Sequence, residues 1–106
     1  MTRLYELLSK HGIRLTIAVY PWPDQIVSND IESIQVSYWK KWAQARDVPV
    51  LNYFPCFVKG DGGDAVLDEY FIPGDVHWNE RGHRLIAENF LRFRETGMTS
   101  EACCCE

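Results

Sequence analysis

The stretch that decides the fold is residues 13–23, IRLTIAVYPWP. Residues 13–20 are mostly β-formers, and both faces of the strand that they predict are apolar or scarcely polar. Such a strand is typical of a parallel sheet that helices cover on both sides. Pro21 and Pro23 end the strand, because proline lacks the N–H that a ladder or a helix interior needs. The stretch therefore predicts one strand of an α/β protein.

Two amphipathic helices are predicted on either side of this strand. Thr2 is the expected N-cap of the first and Gly12 its left-handed C-terminal cap, with one apolar face made of Leu4, Leu7, Leu8 and His11. The second starts from a capping box of Asn29 and Glu32 and ends near Asp47. Its predicted buried stripe is Ile31, Ile34, Tyr38, Trp42 and Ala45.

The rest of the chain predicts one further strand and one further helix. Residues 48–54 (VPVLNYF) are the second apolar strand, and residues 59–64 (KGDGGD) are a loop. Residues 65–72 fit either a short helix or an extended segment. Asn79 is the expected N-cap of a last helix over residues 80–94, whose buried stripe is Leu85, Ile86, Phe90 and Phe93.

The order of these elements alternates as in βαβ crossovers, which predicts an α/β fold. Two parallel strands are too few for an independent sheet, so a third strand is expected either within the ambiguous segment or outside this chain. Residues 1–96 are predicted to form a single domain and residues 97–106 a disordered, cysteine-rich tail. Cys103, Cys104 and Cys105 lack the spacing of a zinc site, and Cys56 is expected to be a small buried hydrophobe.

Charge and hydropathy exclude several classes of function. The formal net charge of the 106 residues is −4, and lysine and arginine are scattered. This pattern does not favour nucleic-acid binding, which needs a basic stripe. The sequence contains no run of about 18 apolar residues, so no membrane-spanning segment is predicted. No secretory signal is recognised either, and the sequence does not predict the localisation.

The residues with the clearest chemistry are Asp75 and His77, in a loop that Pro73 and Gly74 introduce. An aspartate two residues from a histidine can accept a hydrogen bond from its Nδ1–H and leave Nε2 free as a general base. The same pair also has an ordinary explanation, in which the aspartate starts a turn and the histidine packs near a helix end.

Residues 74–91 (GDVHWNERGHRLIAENFL) resemble the last conserved block of the SGNH (GDSL-type) hydrolases. Residues 15–26 (LTIAVYPWPDQI) and 50–57 (VLNYFPCF) are similar to late core strands of that family. The resemblance implies a three-layer α/β/α sandwich of flavodoxin-like type, here as a C-terminal half. It also implies hydrolysis of small acyl esters or acylated carbohydrates, with His77 as the base, Asp75 as its orienting acid and no cofactor.

The resemblance leaves the nucleophile outside this chain. The family's Gly-Asp-Ser block is missing, and the spacing is D-x-H where D-x-x-H is common in the family. The serine is therefore expected outside this chain, and the isolated chain is expected to be inactive, because a general base without a nucleophile and an oxyanion hole lacks most of the transition-state stabilisation that acyl transfer needs.

Two other interpretations stay open. The chain can be a non-catalytic interaction module that pairs its open sheet edge with another chain. It can also be a small metal-binding protein that uses Asp75, His77 and His83, although packing explains His83 better. Trp22 is expected either to line a pocket or to close the edge of the core.

Overall fold

The computed structural model describes residues 1–96, which form a mixed α/β fold. The strands in this part of the chain are β1 (Ile17–Val19) and β2 (Val50–Asn52). The helices are α1 (Thr2–Lys10), α2 (Pro23–Val27), α3 (Ile34–Gln44), α4 (Phe54–Phe57), α5 (Gly63–Tyr70) and α6 (Glu80–Thr96). The predicted tail, with Cys103, Cys104 and Cys105, lies outside the described residues.

The two strands pair in parallel, as the sequence predicts. Ile17 lies opposite Val50 and Val19 opposite Asn52, and the crossover between the strands runs through α2 and α3. Both strands are shorter than predicted. β2 ends where the Asn52 side chain turns back and its Oδ1 accepts a hydrogen bond from the Phe54 backbone N–H at 3.0 Å, because such a side-chain turn replaces the sheet ladder.

One face of β1 is not covered by the described residues, whereas the sequence predicts helices on both sides. Ile17 and Val19 are buried, whereas Ala18 and Tyr20 on the other face are exposed. Within residues 1–96, β1 also has a strand partner along only one of its edges.

The core lies around β2 and the helix that follows it. Its most deeply buried side chains are Ile26, Leu51, Phe54, Cys56 and Phe57, which confirms Cys56 as a small buried hydrophobe.

The buried face of α3 was predicted wrongly. The helix begins after Ser33, whose Oγ accepts a hydrogen bond from the Val36 N–H at 3.2 Å, and not after Asn29. The residues that face inward are Val36 and Ala43, with Trp39 and Trp42 partly buried beside them. The predicted stripe is largely on the surface: Ile31, Ile34, Tyr38 and Ala45 are exposed. α3 carries apolar side chains on two faces, so periodicity alone could not choose between them.

Helix α1 lies at the rim of the molecule. None of its residues is buried, and Leu4 and Leu7 of the predicted apolar face are exposed. Its closest ring contact is the edge of Tyr5 against Trp42, with centroids 5.9 Å apart. Thr2 is the first helical residue and not the N-cap. The predicted C-terminal cap is confirmed, because Gly12 has φ +70° and the N–H after it bonds back to Leu8.

Two of the helices, α2 and α4, were not predicted, and α5 was one of two alternatives for its segment. α2 begins at Pro23, because a proline that ends a strand is well suited to the first turn of a helix. α4 includes Pro55 in its first turn, and the ambiguous segment resolves into α5. α6 is confirmed, and its N-cap Asn79 accepts a hydrogen bond from the Gly82 N–H at 2.9 Å. Its predicted stripe is wrong in one respect, since Phe90 is exposed and Asn89 is buried in its place.

Candidate functional site

The candidate site is the loop between α5 and α6, whose two ends are held together. Phe71 and Trp78 form an antiparallel bridge, and the Ile72 N–H donates to the His77 carbonyl at 3.0 Å. Gly74 has φ +70°, a conformation that glycine adopts without strain, and it turns the chain at the tip. The loop therefore presents Asp75 at a tight and fixed turn.

The side chains of Asp75 and His77 are in direct contact, as the sequence predicts. His77 Nδ1 lies 2.7 Å from Asp75 Oδ1. The same carboxylate oxygen accepts the backbone N–H of Val76 at 2.6 Å and of His77 at 3.2 Å. The hydrogen bond from the His77 ring, and after it those two backbone N–H groups, hold the pKa of the Asp75 carboxyl below its ordinary value. An ionised Asp75 is an acceptor only, so the proton between the pair belongs to His77 Nδ1, and in the neutral ring the lone pair lies on Nε2.

His77 faces a cleft of about 270 Å³ at the carboxyl end of β1. The walls are mostly apolar and aromatic, and the lining residues are Tyr20, Pro21, Trp22, Val76, His77, Trp78 and His83. Trp22 thus lines the cleft, which is one of its two predicted roles. Trp78 is fixed by stacking on the buried Phe57 ring, with centroids 6.2 Å apart and planes at 6°. Ligand sites of α/β proteins typically lie at this end of the sheet.

The wall made by residues 20–22 is supported by two glutamines that sequence reasoning missed. Gln25 Oε1 accepts the Trp22 N–H at 2.9 Å, and Gln25 Nε2 donates to Gln35 Oε1 at 3.1 Å. Gln35 Nε2 in turn donates to the Tyr20 carbonyl at 3.2 Å. No spacing signal could have identified this chain of contacts, because it joins α2 to α3 across the loop between them.

The start of α6 supports the opposite wall. Asn79 Nδ2 donates to the Glu69 carbonyl at 3.0 Å and so ties the end of α5 to the start of α6. A Cβ atom on Gly82 would meet the Tyr70 carbonyl oxygen and would lie 2.8 Å from the Cβ of Trp78. Gly82 is therefore needed for the close approach that seats Trp78. The Asn-x-x-Gly pattern was visible in the sequence, but the contact that explains it was not.

The structure does not bring the three predicted metal ligands together. His83 lies edge-on to Trp78, with ring centroids 5.6 Å apart. Within residues 1–96, no group of three or more histidine, cysteine, aspartate or glutamate side chains could hold a metal ion. The metal-binding interpretation is therefore wrong for Asp75, His77 and His83, and the predicted packing role of His83 agrees with its contact with Trp78.

No serine among the described residues lines the cleft. Ser9 and Ser37 lie within α1 and α3, and Ser28 and Ser33 lie at helix ends. Ser100 is outside the described residues. The cleft thus combines an oriented imidazole with no hydroxyl nucleophile of the serine type.

Fold and site together define a mixed α/β protein with an exposed Asp–His dyad at the carboxyl end of a short parallel sheet. Comparison with protein-family models, with curated proteins and with solved structures gives no match to this chain. In the part of the chain that the structure describes, no helix has the length and apolar character needed to cross a bilayer.

Proposed function

We propose that Asp75 and His77 are the acid–base pair of an ester-hydrolysing or O-acyl-transferring site of SGNH type. The observation that carries the proposal is the 2.7 Å contact between Asp75 Oδ1 and His77 Nδ1, at the mouth of an aromatic cleft. The sequence resemblance of residues 74–91 to the last block of that family supports the same assignment. The serine nucleophile would come from a second chain or from a missing N-terminal half.

The chemistry follows from the orientation of the His77 ring. Asp75 fixes the Nδ1–H tautomer, so Nε2 can take a proton from an attacking hydroxyl group and later return it to the leaving alcohol. The carboxylate stabilises the imidazolium that forms in between. The cleft volume of about 270 Å³ and its aromatic walls suit a small acyl ester or an acylated carbohydrate.

The proposal includes a larger fold than the described residues contain. A three-layer α/β/α sandwich would continue the sheet beyond the open edge of β1. The parallel pairing of β1 with β2, and the helical crossover between them, support this arrangement. A two-stranded sheet leaves an outer edge on each strand, and further strands of such a sandwich would pair there.

The test uses the full chain and p-nitrophenyl acetate, an activated ester whose hydrolysis a general base accelerates even without serine. We expect His77→Ala to lower the rate above buffer background by about tenfold or more. His11→Ala is the matched control, because His11 is exposed at the end of α1 and does not line the cleft. Equal rates for the chain and for His77→Ala would contradict the proposal.

A second candidate function is an interaction module, and the open edge of β1 is the observation that favours it. Ile17 and Val19 direct their backbone groups at β2: the Ile17 N–H donates to the Pro49 carbonyl and the Val19 carbonyl accepts the Tyr53 N–H. The N–H and C=O of Ala18 point the other way, and Ala18 is exposed. A second copy of the chain could pair there, strand against strand.

Sedimentation over a range of concentrations tests this candidate. Self-pairing predicts a dimer that Ala18→Pro abolishes, because proline removes the N–H that the second strand would use and leaves the bonds to β2 in place. Circular dichroism of the variant checks that the fold is kept. A monomer at every concentration would exclude self-pairing through this edge.

A further inference from the structure

The nucleophilic atoms inside the cleft are few. Among the seven lining residues, only the imidazoles of His77 and His83 and the hydroxyl of Tyr20 carry a lone pair that could attack a carbonyl carbon. The side chains that usually carry acyl groups in enzymes, serine, cysteine and threonine, do not line it. Acyl transfer in this cleft must therefore use one of these three groups or a nucleophile that a partner chain supplies.

We propose that His77 itself takes up the acyl group, at Nε2, and that this chain transfers acyl groups from activated donors to amines and to water. The inference rests on the proposed function, since it uses the same dyad, but it assigns the nucleophile to the chain itself. The donors would be aryl esters and thioesters with short acyl groups.

His77 is the only one of the three candidates that a carboxylate orients. Its Nδ1 is fixed 2.7 Å from Asp75, and 76% of its side chain is open to solvent and to an incoming donor. His83 contacts the edge of Trp78 and forms no ion pair within residues 1–96. Tyr20 also packs against Trp78, and its hydroxyl has no basic partner among the described side chains.

The transfer balances without a further reactant. The Nε2 lone pair of His77 attacks the carbonyl carbon, the new N–C bond forms, and the C–O or C–S bond breaks to release a phenolate or a thiolate. The acylated ring keeps its Nδ1 proton and is positively charged, and the Asp75 carboxylate beside that proton stabilises the charge. An amine or water then attacks the acyl carbon, the N–C bond breaks, and the acceptor gives its proton to solvent.

The class of donor follows from the chemistry of the leaving group. Imidazole displaces leaving groups of comparable or weaker basicity, whereas an alkoxide would be expelled less readily than the imidazole that attacked. Alkyl esters, whose leaving groups are poor, also depend more strongly on stabilisation of the oxyanion. Aryl esters and thioesters have better leaving groups, so they are the donors that His77 could use without a serine.

Trapping with aniline tests the inference with p-nitrophenyl acetate and the full chain. If an acyl-imidazole forms first, aniline produces acetanilide and the rate of p-nitrophenolate release stays unchanged, because the amine acts after the ester bond has broken. We expect at least about tenfold less acetanilide with His77→Ala. The His11→Ala control should produce as much as the unmodified chain.

A hindered donor locates the acyl group directly. p-Nitrophenyl trimethylacetate acylates in the same way, but its bulky acyl group slows the second step, so the adduct accumulates before an acid quench. Fragment mass spectrometry is expected to place the acyl group on His77. An adduct on His83 or on Tyr20 instead would overturn the inference.

The outcomes separate this inference from the proposed function. Hydrolysis that depends on His77 but gives neither acetanilide nor an adduct, and that slows in D₂O, would mean that His77 acts only as a general base. That result would support the proposed function and contradict the further inference. If hydrolysis does not depend on His77 at all, both fail.

Discussion

A single carboxylate oxygen organises the candidate site at the scale of one residue. Asp75 Oδ1 accepts from the backbone N–H groups of Val76 and His77 and from the His77 ring. The first two contacts fix the turn, and the third fixes the tautomer of the imidazole. Asp75 therefore stabilises the turn of the loop and also orients the His77 ring.

The titration of Asp75 can be measured directly. Because His77 and the backbone stabilise the ionised form, the pKa of Asp75 should lie below its ordinary value of 3.8. A depressed pKa contributes stability above the ordinary value that is lost as the pH falls through the depressed one. Carboxyl ¹³C NMR should show a midpoint below 3.8, and His77→Ala should raise it. An unchanged midpoint in His77→Ala, relative to His11→Ala, would contradict the assigned contact.

Gly82 provides a second prediction at this scale. A methyl group there would meet the Tyr70 carbonyl oxygen and the Trp78 side chain, so Gly82→Ala is expected to cost about 1–3 kcal/mol of unfolding free energy. Gly62→Ala is the control, because its methyl group would meet nothing within 4 Å. The control should cost less than about 1 kcal/mol in urea unfolding. Equal losses for both variants would rule out the close approach.

At the scale of elements, one phenol joins the end of β2 to α6. The Tyr53 hydroxyl donates to the Ile86 carbonyl at 3.1 Å, and the Tyr53 residue is buried. Burial, followed by the nearby Cys56 thiol, raises the pKa of Tyr53 to about 12. This contact matters to the site because α6 begins at the loop that carries His77.

The contact predicts a loss of stability at alkaline pH. An unfolded tyrosine ionises near its ordinary pKa of 10.0 while the folded one stays neutral, so the unfolded state binds fewer protons and stability falls as pH rises from 10 to 12. Urea unfolding at pH 8 and pH 11 should show a larger fall for the unmodified chain than for Tyr53→Phe. At pH 8 the variant should lose about 1 kcal/mol, the usual contribution of one hydrogen bond. An equal fall in both proteins would contradict this contact.

At the scale of the whole molecule, burial is uneven between the elements. It gathers around β2, α4 and the buried side chain of Ile26, whereas α1 buries none of its residues. A nine-residue helix is marginal by itself in water, so α1 depends on tertiary contacts such as those of the Tyr5 ring with Trp42 and of the Tyr5 hydroxyl with the Arg46 carbonyl. We therefore expect the region around β2 to be more stable than the region that contains α1 and the open edge of β1.

Two leucines test this division. Leu51 in β2 is 1% exposed, and Leu51→Ala is expected to cost about 2–5 kcal/mol of unfolding free energy. Leu7 in α1 is 54% exposed, so Leu7→Ala should change stability by no more than about 0.5 kcal/mol. Urea unfolding of both variants gives the comparison. A large loss in Leu7→Ala would mean that α1 is covered in solution by something that the described residues do not include.

The sequence by itself determined the features that depend on neighbouring residues. The two apolar strands, the Gly12 cap, the Asn79 cap and the Asp75–His77 contact each require only a few residues, so local chemistry suffices to predict them. The parallel pairing also followed, because the alternation of strands and helices allows few other arrangements.

Only the tertiary structure decided which faces are buried and what surrounds the dyad. The face of α3, the exposure of Ala18 and the glutamine contacts behind Trp22 depend on elements that meet across the fold. The clearance around Gly82 likewise depends on where α5 ends. A periodic pattern describes one element at a time, and burial is a property of two surfaces in contact, so it is fixed only when the second surface is in place.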